Sequence, residues 1–250
     1  MSATHHGLLI PADTPVHRLA PQCKVAATAL FVLAVACTPA GAYRPYLWDL
    51  LLVTAVATLA RLPPWILARR LLVEIPFVLF VLVLPVLGGP PRLPVAGIAL
   101  SVPGLHAAAT IALKATFGLL ATGILAATTP PPEIITGLER LRVPRVFTAV
   151  AAFMVRYLEV LAADLARMRT AALCRGGNPR WLWQVRDVTA GLGALVVRSF
   201  ERGERVYLAM ASRGYTGTLP AALTGAAAPP GAWAGALAVP ALTAIGLALA

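Results

Sequence analysis

The sequence predicts an all-α polytopic membrane protein, with about five transmembrane helices and a cytoplasmic module of long amphipathic helices. Hydrophobic residues make up 59% of the 250 residues, and charged residues only 12%, against about 25% in soluble domains. The apolar residues are gathered into five runs, which are separated by clusters of Pro, Gly and Arg. A chain of this length cannot bury so much apolar surface in its own interior, so we expect the excess to face lipid.

The five apolar runs are the predicted membrane spans. They are Val25–Cys37, Leu47–Ala60, Leu71–Leu87, Leu105–Ala127 and Trp233–Ala250. A helix needs about 20 residues to cross about 30 Å of hydrocarbon. The fourth run meets this length, whereas the first two reach it only with their polar flanks or in a thinner bilayer. The residues before Pro21 lack the pattern of a cleaved signal peptide, so we expect the first span to begin at Val25.

Lys and Arg in the short loops predict the orientation, because cytoplasmic loops carry an excess of them. They are Arg18 and Lys24 before the first span and Arg61, Arg69 and Arg70 after the second, against Arg44 and Arg92 in the alternate loops. We therefore expect a multi-pass protein of the cell membrane with a cytoplasmic N-terminus. The predicted organisation is a membrane domain of four spans (1–127), a cytoplasmic segment (128–220), and a linker with a C-terminal span (221–250).

Residues Val146–Leu165 are apolar enough for a sixth span, but we predict a long cytoplasmic amphipathic helix here. They include Arg156, Glu159 and Asp164, and an Arg at the centre of a bilayer costs about 2.5 kcal/mol or more. A sixth span would also place the next basic stretch on the wrong side of the membrane. The apolar residues recur every three or four positions, as on one helical face: Ala151, Met154, Leu158, Leu161, Leu165, Met168 and Ala172.

Two further amphipathic helices are predicted in the cytoplasmic segment. The longer runs from Arg186 to Ala211 and is stopped by Gly214, Gly217 and Pro220. Its apolar face is Leu192, Val196, Phe200, Gly203, Tyr207 and Met210, and its charged residues Arg198, Glu201, Arg202, Glu204 and Arg205 lie off that face. The shorter opens at Thr128, with a Thr cap, early prolines and Glu133 in the first turn, and ends at Pro144. The apolar faces need cover from each other, the spans, the bilayer interface or a partner.

The two long amphipathic helices end alike, each in a small residue followed by Arg and Gly. The segments are Cys174-Arg175-Gly176 and Ser212-Arg213-Gly214. One interpretation is an ordinary helix end, because Gly adopts the left-handed conformation and a cation is favoured beside the last carbonyls. The alternative is an exposed guanidinium at the tip of a rigid helix, which suits a carboxylate or an acidic groove on a partner.

Five stretches resemble the transmembrane T components of energy-coupling factor (ECF) transporters, and most closely the cobalt-type members called CbiQ. They are His17-Arg18-Leu19-Ala20-Pro21-Gln22-Cys23-Lys24, Ala126-Ala127-Thr128-Thr129-Pro130-Pro131, Gly137-Leu138-Glu139-Arg140-Leu141-Arg142-Val143-Pro144, Met154-Val155-Arg156-Tyr157 and the run from Ser199 to Tyr215. They follow one another over most of the chain, and the last is the most specific.

The resemblance implies that the chain is a coupling subunit whose cytoplasmic helices dock on ATPases. In this family, two motifs centred on Arg-Gly end the coupling helices, and their arginines enter grooves on a pair of ATP-binding cassette subunits. The matching residues are Arg175, Gly176, Arg213 and Gly214, and the helices would be supported by Arg156, Glu159, Glu201, Arg202, Glu204 and Arg205. Family motifs begin with Ala, where this chain has Cys174 and Ser212. The other implied partners are a substrate-capturing membrane subunit and a small accessory membrane protein.

The sequence contains no motif that predicts catalysis or a cofactor. Its two lysines, Lys24 and Lys114, do not lie in a Gly-rich phosphate-binding loop, so ATP must be hydrolysed by another subunit. Its histidines and three cysteines lack ligand spacing, so we expect neither a metal site nor a disulfide. Lys114, inside the fourth run, is a pathway residue, a partner of Asp49 or Glu74, or a residue at a place where the helix meets protein rather than lipid.

Other interpretations differ in substrate or in class. The resemblance favours cobalt as substrate, while nickel or a vitamin would need nearly the same chain. The alternatives from other classes are a membrane enzyme and a membrane scaffold that tethers nucleic acid. Thirteen of the 21 basic residues lie between Glu139 and Arg213, giving a net +7 out of +11. Six acidic residues interrupt this block, which favours contact with a protein and lipid rather than nucleic acid.

Overall fold

The computed structural model of the chain describes residues 12–39, 41–89, 91–95, 98–176, 185–215 and 228–248. Its contacts divide the chain into two units. The first, here called the membrane unit, comprises His5–Leu141 and Ala226–Ala250. The second, here called the amphipathic unit, comprises Arg142–Gly225 together with Met1–Thr4.

Helices form nearly all of the described structure. The membrane unit contains α1 (Pro15–Arg18), α2 (Pro21–Cys37), α3 (Arg44–Leu59), α4 (Pro64–Leu71), a 3₁₀ turn (Leu72–Glu74), α5 (Ile75–Val81), α6 (Leu84–Leu87), strands β1 (Arg92–Val95) and β2 (Ile98–Ser101), α7 (Val102–Thr128), α8 (Pro131–Arg140) and α11 (Pro230–Ala248). The amphipathic unit contains α9 (Arg145–Cys174) and α10 (Val185–Ala211). The predicted all-α class is confirmed, with a small hairpin that the sequence analysis did not predict.

Three of the described helices, α7, α9 and α11, are long and apolar enough to cross a membrane. Helix α2 is shorter; it begins at Pro21 and so includes the polar flank that the first predicted span needed. At about 1.5 Å per residue its 17 residues extend about 25 Å. Length alone therefore does not distinguish α9 from the spans. The prediction that α9 is cytoplasmic depends on its charged residues instead.

The third predicted span, Leu71–Leu87, is not one helix. It is divided into the end of α4, the 3₁₀ turn, α5 and α6. Pro76 and Pro85 are the second residues of α5 and α6. Proline has no N–H to donate and its ring clashes with the preceding turn, so a helix restarts at each of them instead of continuing.

Strands β1 and β2 form an antiparallel hairpin between α6 and α7, with Arg92 opposite Ser101 and Val95 opposite Ile98. Ser101 ends the hairpin and starts α7. Its hydroxyl donates to the carbonyl of Gly89 over 2.6 Å and accepts from the N–H of Gly104 over 3.2 Å. The same side chain therefore closes the loop and caps the longest helix of the membrane unit.

The core of the membrane unit lies where α2, α3 and α7 meet. The aromatic rings of Tyr46 and Phe117 stack with their centroids 6.0 Å apart. Helix α2 also packs against α8 and α11. The buried cluster consists of Phe31, Val35, Tyr46, Val53, Ala57, Ala60, Leu62, Phe117, Ala121, Ile124 and Ala127.

Helix α8 begins later than predicted and has no Thr cap. Its N-cap is Pro130, which provides no side-chain hydrogen bond, and Thr129 is fully buried. The helix packs against the start of α2. A Cβ atom on Gly137 would lie only 3.0 Å from the carbonyl carbon of Pro21. This close approach of the two backbones leaves no room for a side chain at position 137.

Helices α9 and α10 form the amphipathic unit. Their bounds agree with the predicted amphipathic helices, and α10 begins one residue before the expected Arg186. The apolar side chains of both are largely exposed within the unit. On α9 they include Phe147, Val150, Met154 and Leu158, and on α10 they include Leu192, Val196, Phe200 and Tyr207. As predicted, the apolar faces of α9 and α10 therefore need to be covered by another surface, since the described residues of the amphipathic unit leave them exposed.

Candidate functional site

The end of α9 places Arg175 beside a left-handed glycine. The backbone N–H of Arg175 donates to the carbonyl of Ala172 over 3.1 Å, and the N–H of Gly176 donates to Leu173 over 3.0 Å. Gly176 has a φ of +80°, a conformation that is unfavourable for residues with a Cβ atom. The chain therefore leaves the helix directly after Arg175, as the sequence predicts.

The end of α10 is also capped by backbone hydrogen bonds. The N–H of Gly214 donates to Ala211 over 3.0 Å, and the N–H of Tyr215 donates to Met210 over 3.0 Å. This pair of bonds, with a φ of +84° at Gly214, is the Schellman arrangement. Both Arg-Gly segments are thus confirmed as helix C-caps, with an arginine as the last residue before the glycine.

The side chains of Arg175 and Arg213 are exposed. Within the described residues, neither guanidinium takes part in an ion pair or a side-chain hydrogen bond. An arginine offers five N–H donors in a rigid fork that matches a carboxylate. The two helix tips therefore present guanidinium groups that are available to a partner.

Among the residues predicted to support the coupling helices, only Arg202 forms an ion pair within the described residues. Arg202 bonds to Asp164 on α9, with 3.1 Å between Nη2 and Oδ2, and Asp164 also pairs with Arg167. Arg156 and Glu159 are exposed and form no ion pair with each other, because water competes for charges at the surface. Three others are also exposed, without an ion pair in this part of the chain: Glu201, Glu204 and Arg205.

Asp164 is the residue that sequence reasoning missed. Its carboxylate joins α9 to α10 and is only 21% exposed. The sequence signal was the spacing of Asp164 and Arg167, three residues apart on a helix, which favours their pairing. Nothing in the sequence indicated that Arg202 would reach the same carboxylate from another helix.

A double-mutant cycle on Asp164→Asn and Arg202→Gln should detect this interhelix ion pair. The side chains are 21% and 36% exposed, so solvent screens the pair and we expect a coupling energy of at most about 1 kcal/mol. Thermal unfolding of the purified chain at low and high salt measures it, and the coupling should shrink with salt. Arg205→Gln is the matched control. Equal coupling between Asp164→Asn and Arg205→Gln would contradict the assignment.

Lys114 lies where α7 meets another helix of the protein, which is one of the alternatives that the sequence offered. Its ammonium donates over 2.7 Å to the carbonyl of Ala36 in the last turn of α2, where a cation is favoured by the helix dipole. Glu74 accepts instead from the hydroxyl of Thr116 over 2.9 Å. No ion pair joins Lys114 to Asp49 or Glu74, both of which lie in the described structure. Of the alternatives for Lys114, pairing with these two acids is therefore not observed, and contact with a neighbouring helix is.

Comparison with known proteins identifies the family. The family model of CbiQ, described as a cobalt transport protein, matches residues 12–224. The cobalt transport protein CbiQ of Rhodobacter capsulatus is 33% identical over 137 residues, which cover 54% of this chain and 55% of that protein.

Longer matches connect the chain to energy-coupling factor transporter transmembrane proteins called EcfT. The protein of Heliobacterium modesticaldum is 27% identical over 224 residues, covering 84% of each chain. That of Thermanaerovibrio acidaminovorans is 30% identical over 231 residues, covering 84% of this chain and 82% of the relative. The resemblance carried by the five stretches is therefore supported over most of the sequence, and the chain belongs to the CbiQ cobalt transport protein family.

Proposed function

We propose that this chain is the transmembrane coupling subunit of an ECF-type importer and that cobalt is the transported substrate. It would transmit the ATP-driven motion of two ATP-binding cassette subunits to a substrate-capturing membrane subunit. The single observation that carries this proposal is the matched pair of helix ends, each with an exposed guanidinium and a left-handed glycine. Membership in the CbiQ family agrees with it.

The helix ends suit mechanical contact for three reasons. A backbone cap fixes the direction of each helix tip relative to its axis. A guanidinium can then form two parallel, charge-assisted hydrogen bonds with a carboxylate in the groove of a partner. Helices α9 and α10 contain 30 and 27 residues, so they extend about 45 Å and 40 Å. A displacement of either tip would therefore be transmitted along the full length of its helix.

The chain itself would be a non-catalytic part of the complex. Its role would be to hold and move the subunit that captures the substrate, with the ATPase subunits supplying the free energy. A small accessory membrane protein would complete a cobalt-type complex. The exposed apolar faces of α9 and α10 would be covered by the membrane subunits and by lipid, with the coupling helices on the cytoplasmic side.

Metal uptake by cells that lack their own importer tests the proposed function. The cells would produce the two ATPases and the substrate-capturing subunit of the proposed complex, with or without the chain. We expect cobalt accumulation only when all of them are present, and accumulation that is unaffected by a large excess of a vitamin. Equal accumulation without the chain would overturn the coupling role. Preferential accumulation of nickel would retain that role and replace the metal.

A further inference from the structure

A carboxylic acid is buried in the membrane unit without a cation. Asp49, on α3, is 1% exposed, and it lies within the second predicted membrane span. Among the described residues no Lys, Arg or His forms an ion pair with it. Removing a lone carboxylate from water into such surroundings costs several kcal/mol, so either a proton or a bound cation must neutralise it.

The groups around Asp49 are oxygens. Tyr46 lies one helical turn away on α3, and Thr243 of α11 is the hydrogen-bonding neighbour of the carboxyl. Both are buried, as is Thr38 at the end of α2. The Oδ2 atom of Asp49 has no hydrogen-bond partner within the described structure. Buried polar atoms are nearly always paired, so this oxygen is available to bind a proton.

The basic groups on the neighbouring helices are already occupied. On α7, Lys114 donates to the carbonyl of Ala36, and His106 bonds to the hydroxyl of Tyr43 over 2.6 Å. On α1, Arg18 pairs with Asp13, and His17 bonds to Thr14. Helix α11 contains no titratable side chain. The positive charge that Asp49 needs is therefore supplied by none of these groups.

A single proton would neutralise the carboxylate of Asp49. A protonated carboxyl provides one O–H donor and keeps an acceptor oxygen. The hydroxyl of Thr243 donates to the carbonyl of Val239 over 3.2 Å, which leaves its lone pairs free to accept from Asp49. A metal ion such as Ca²⁺ takes six to eight oxygen ligands, more than these side chains provide.

We propose that Asp49 is a proton-binding site within the membrane unit, and that its protonated carboxyl ties α3 to α11 through Thr243. Loss of the proton would leave an uncompensated negative charge on Asp49 between α3 and α11. The attachment of α11, which has no charged residue of its own, would then depend on the protonation of one group. Ionisable residues inside membrane segments have proton relay as one of their recognised roles. This inference is independent of the ATPase-docking proposal.

Infrared spectroscopy of the full chain in lipid nanodiscs tests the site, because a protonated carboxyl absorbs apart from carboxylates. We expect its carbonyl band at mildly acidic pH in the wild type, loss of that band in Asp49→Asn, and retention in Glu133→Gln, whose side chain is exposed. Absence of the band from the wild type, or its persistence in Asp49→Asn, would overturn the proposal.

Thermal unfolding provides a second readout. A raised pH removes the proton, so the melting temperature of the wild type should fall at high pH more than that of Asp49→Asn, which keeps a neutral side chain of the same shape. A melting temperature that instead rises with sodium concentration in the wild type, and not in Asp49→Asn, would assign a cation to the cluster and overturn the proton. Equal pH dependence of the two proteins would also overturn it.

Discussion

Replacing both Arg175 and Arg213 by Glu is expected to abolish the association of the ATPase subunits while leaving the chain in the membrane. Each guanidinium is exposed and unpaired in the described structure, so its removal should not disturb the fold. Losing one partner of a hydrogen-bonded charge pair at an interface costs about 2–5 kcal/mol. Two such losses weaken association at least about a thousandfold, and opposing charges in an acidic groove add repulsion.

Co-purification of the ATPases with the tagged chain measures this association, and membrane fractionation checks insertion. The matched control is Arg169→Glu with Arg198→Glu, which makes the same change in charge on the same two helices at exposed positions. We expect this control to bind nearly as well as the wild type. Unchanged association of the Arg175 and Arg213 variant, or an equal loss in the control, would contradict docking through the helix ends.

Gly104→Ala is expected to destabilise the membrane unit. A Cβ atom there would lie 2.7 Å from the carbonyl oxygen of Leu84 and 3.0 Å from the Cα of Pro85. Both are backbone atoms of α6, which cannot move aside like the end of a flexible side chain. Overpacking of this kind costs about 1–3 kcal/mol, and each kcal/mol lowers the melting temperature of a chain of this size by about 2–4 °C.

Gly118→Ala is the control for this second prediction, because Gly118 lies on the same helix and has no atom within 4 Å of an added Cβ. Alanine favours a helix by up to about 1 kcal/mol over glycine. The two substitutions should therefore shift thermal unfolding in detergent in opposite directions. A melting temperature of Gly104→Ala at or above that of Gly118→Ala would mean that α6 does not pack against α7 as described.

Local features of the fold were predictable from the sequence. Caps depend on neighbouring residues, so the Arg-Gly segments correctly predicted the left-handed conformations of Gly176 and Gly214. The apolar stripes correctly predicted the extent of α9 and α10, because helical periodicity also depends on residues that are close in sequence. Pro76 and Pro85 also indicate where the third apolar run divides, because proline has no N–H to donate. The prediction of one span depended on hydrophobicity and length, which do not reflect this property.

Contacts between distant residues were not predictable. The bond from Arg202 to Asp164 and that from Lys114 to Ala36 join different helices, and only the folded chain brings them together. The hairpin of β1 and β2 is short, and its proline at position 94 argues against a strand in the sequence. The sequence indicated Asp49 only as a possible partner of Lys114, because the burial that makes Asp49 unusual depends on α11, which follows nearly 200 residues later.

Cross-linking from the helix tips tests the central claim most directly. Cys174, beside Arg175, is an exposed free thiol, and Cys23 is buried. With Cys37→Ser and Ser212→Cys, thiols at the two tips can be joined to the ATPases by a short reagent that reacts with thiols and amines. We expect adducts of the chain with one and with two ATPase subunits. A thiol introduced at Gly118 should yield none. Absence of adducts from both tips, or equal adducts from position 118, would contradict the account.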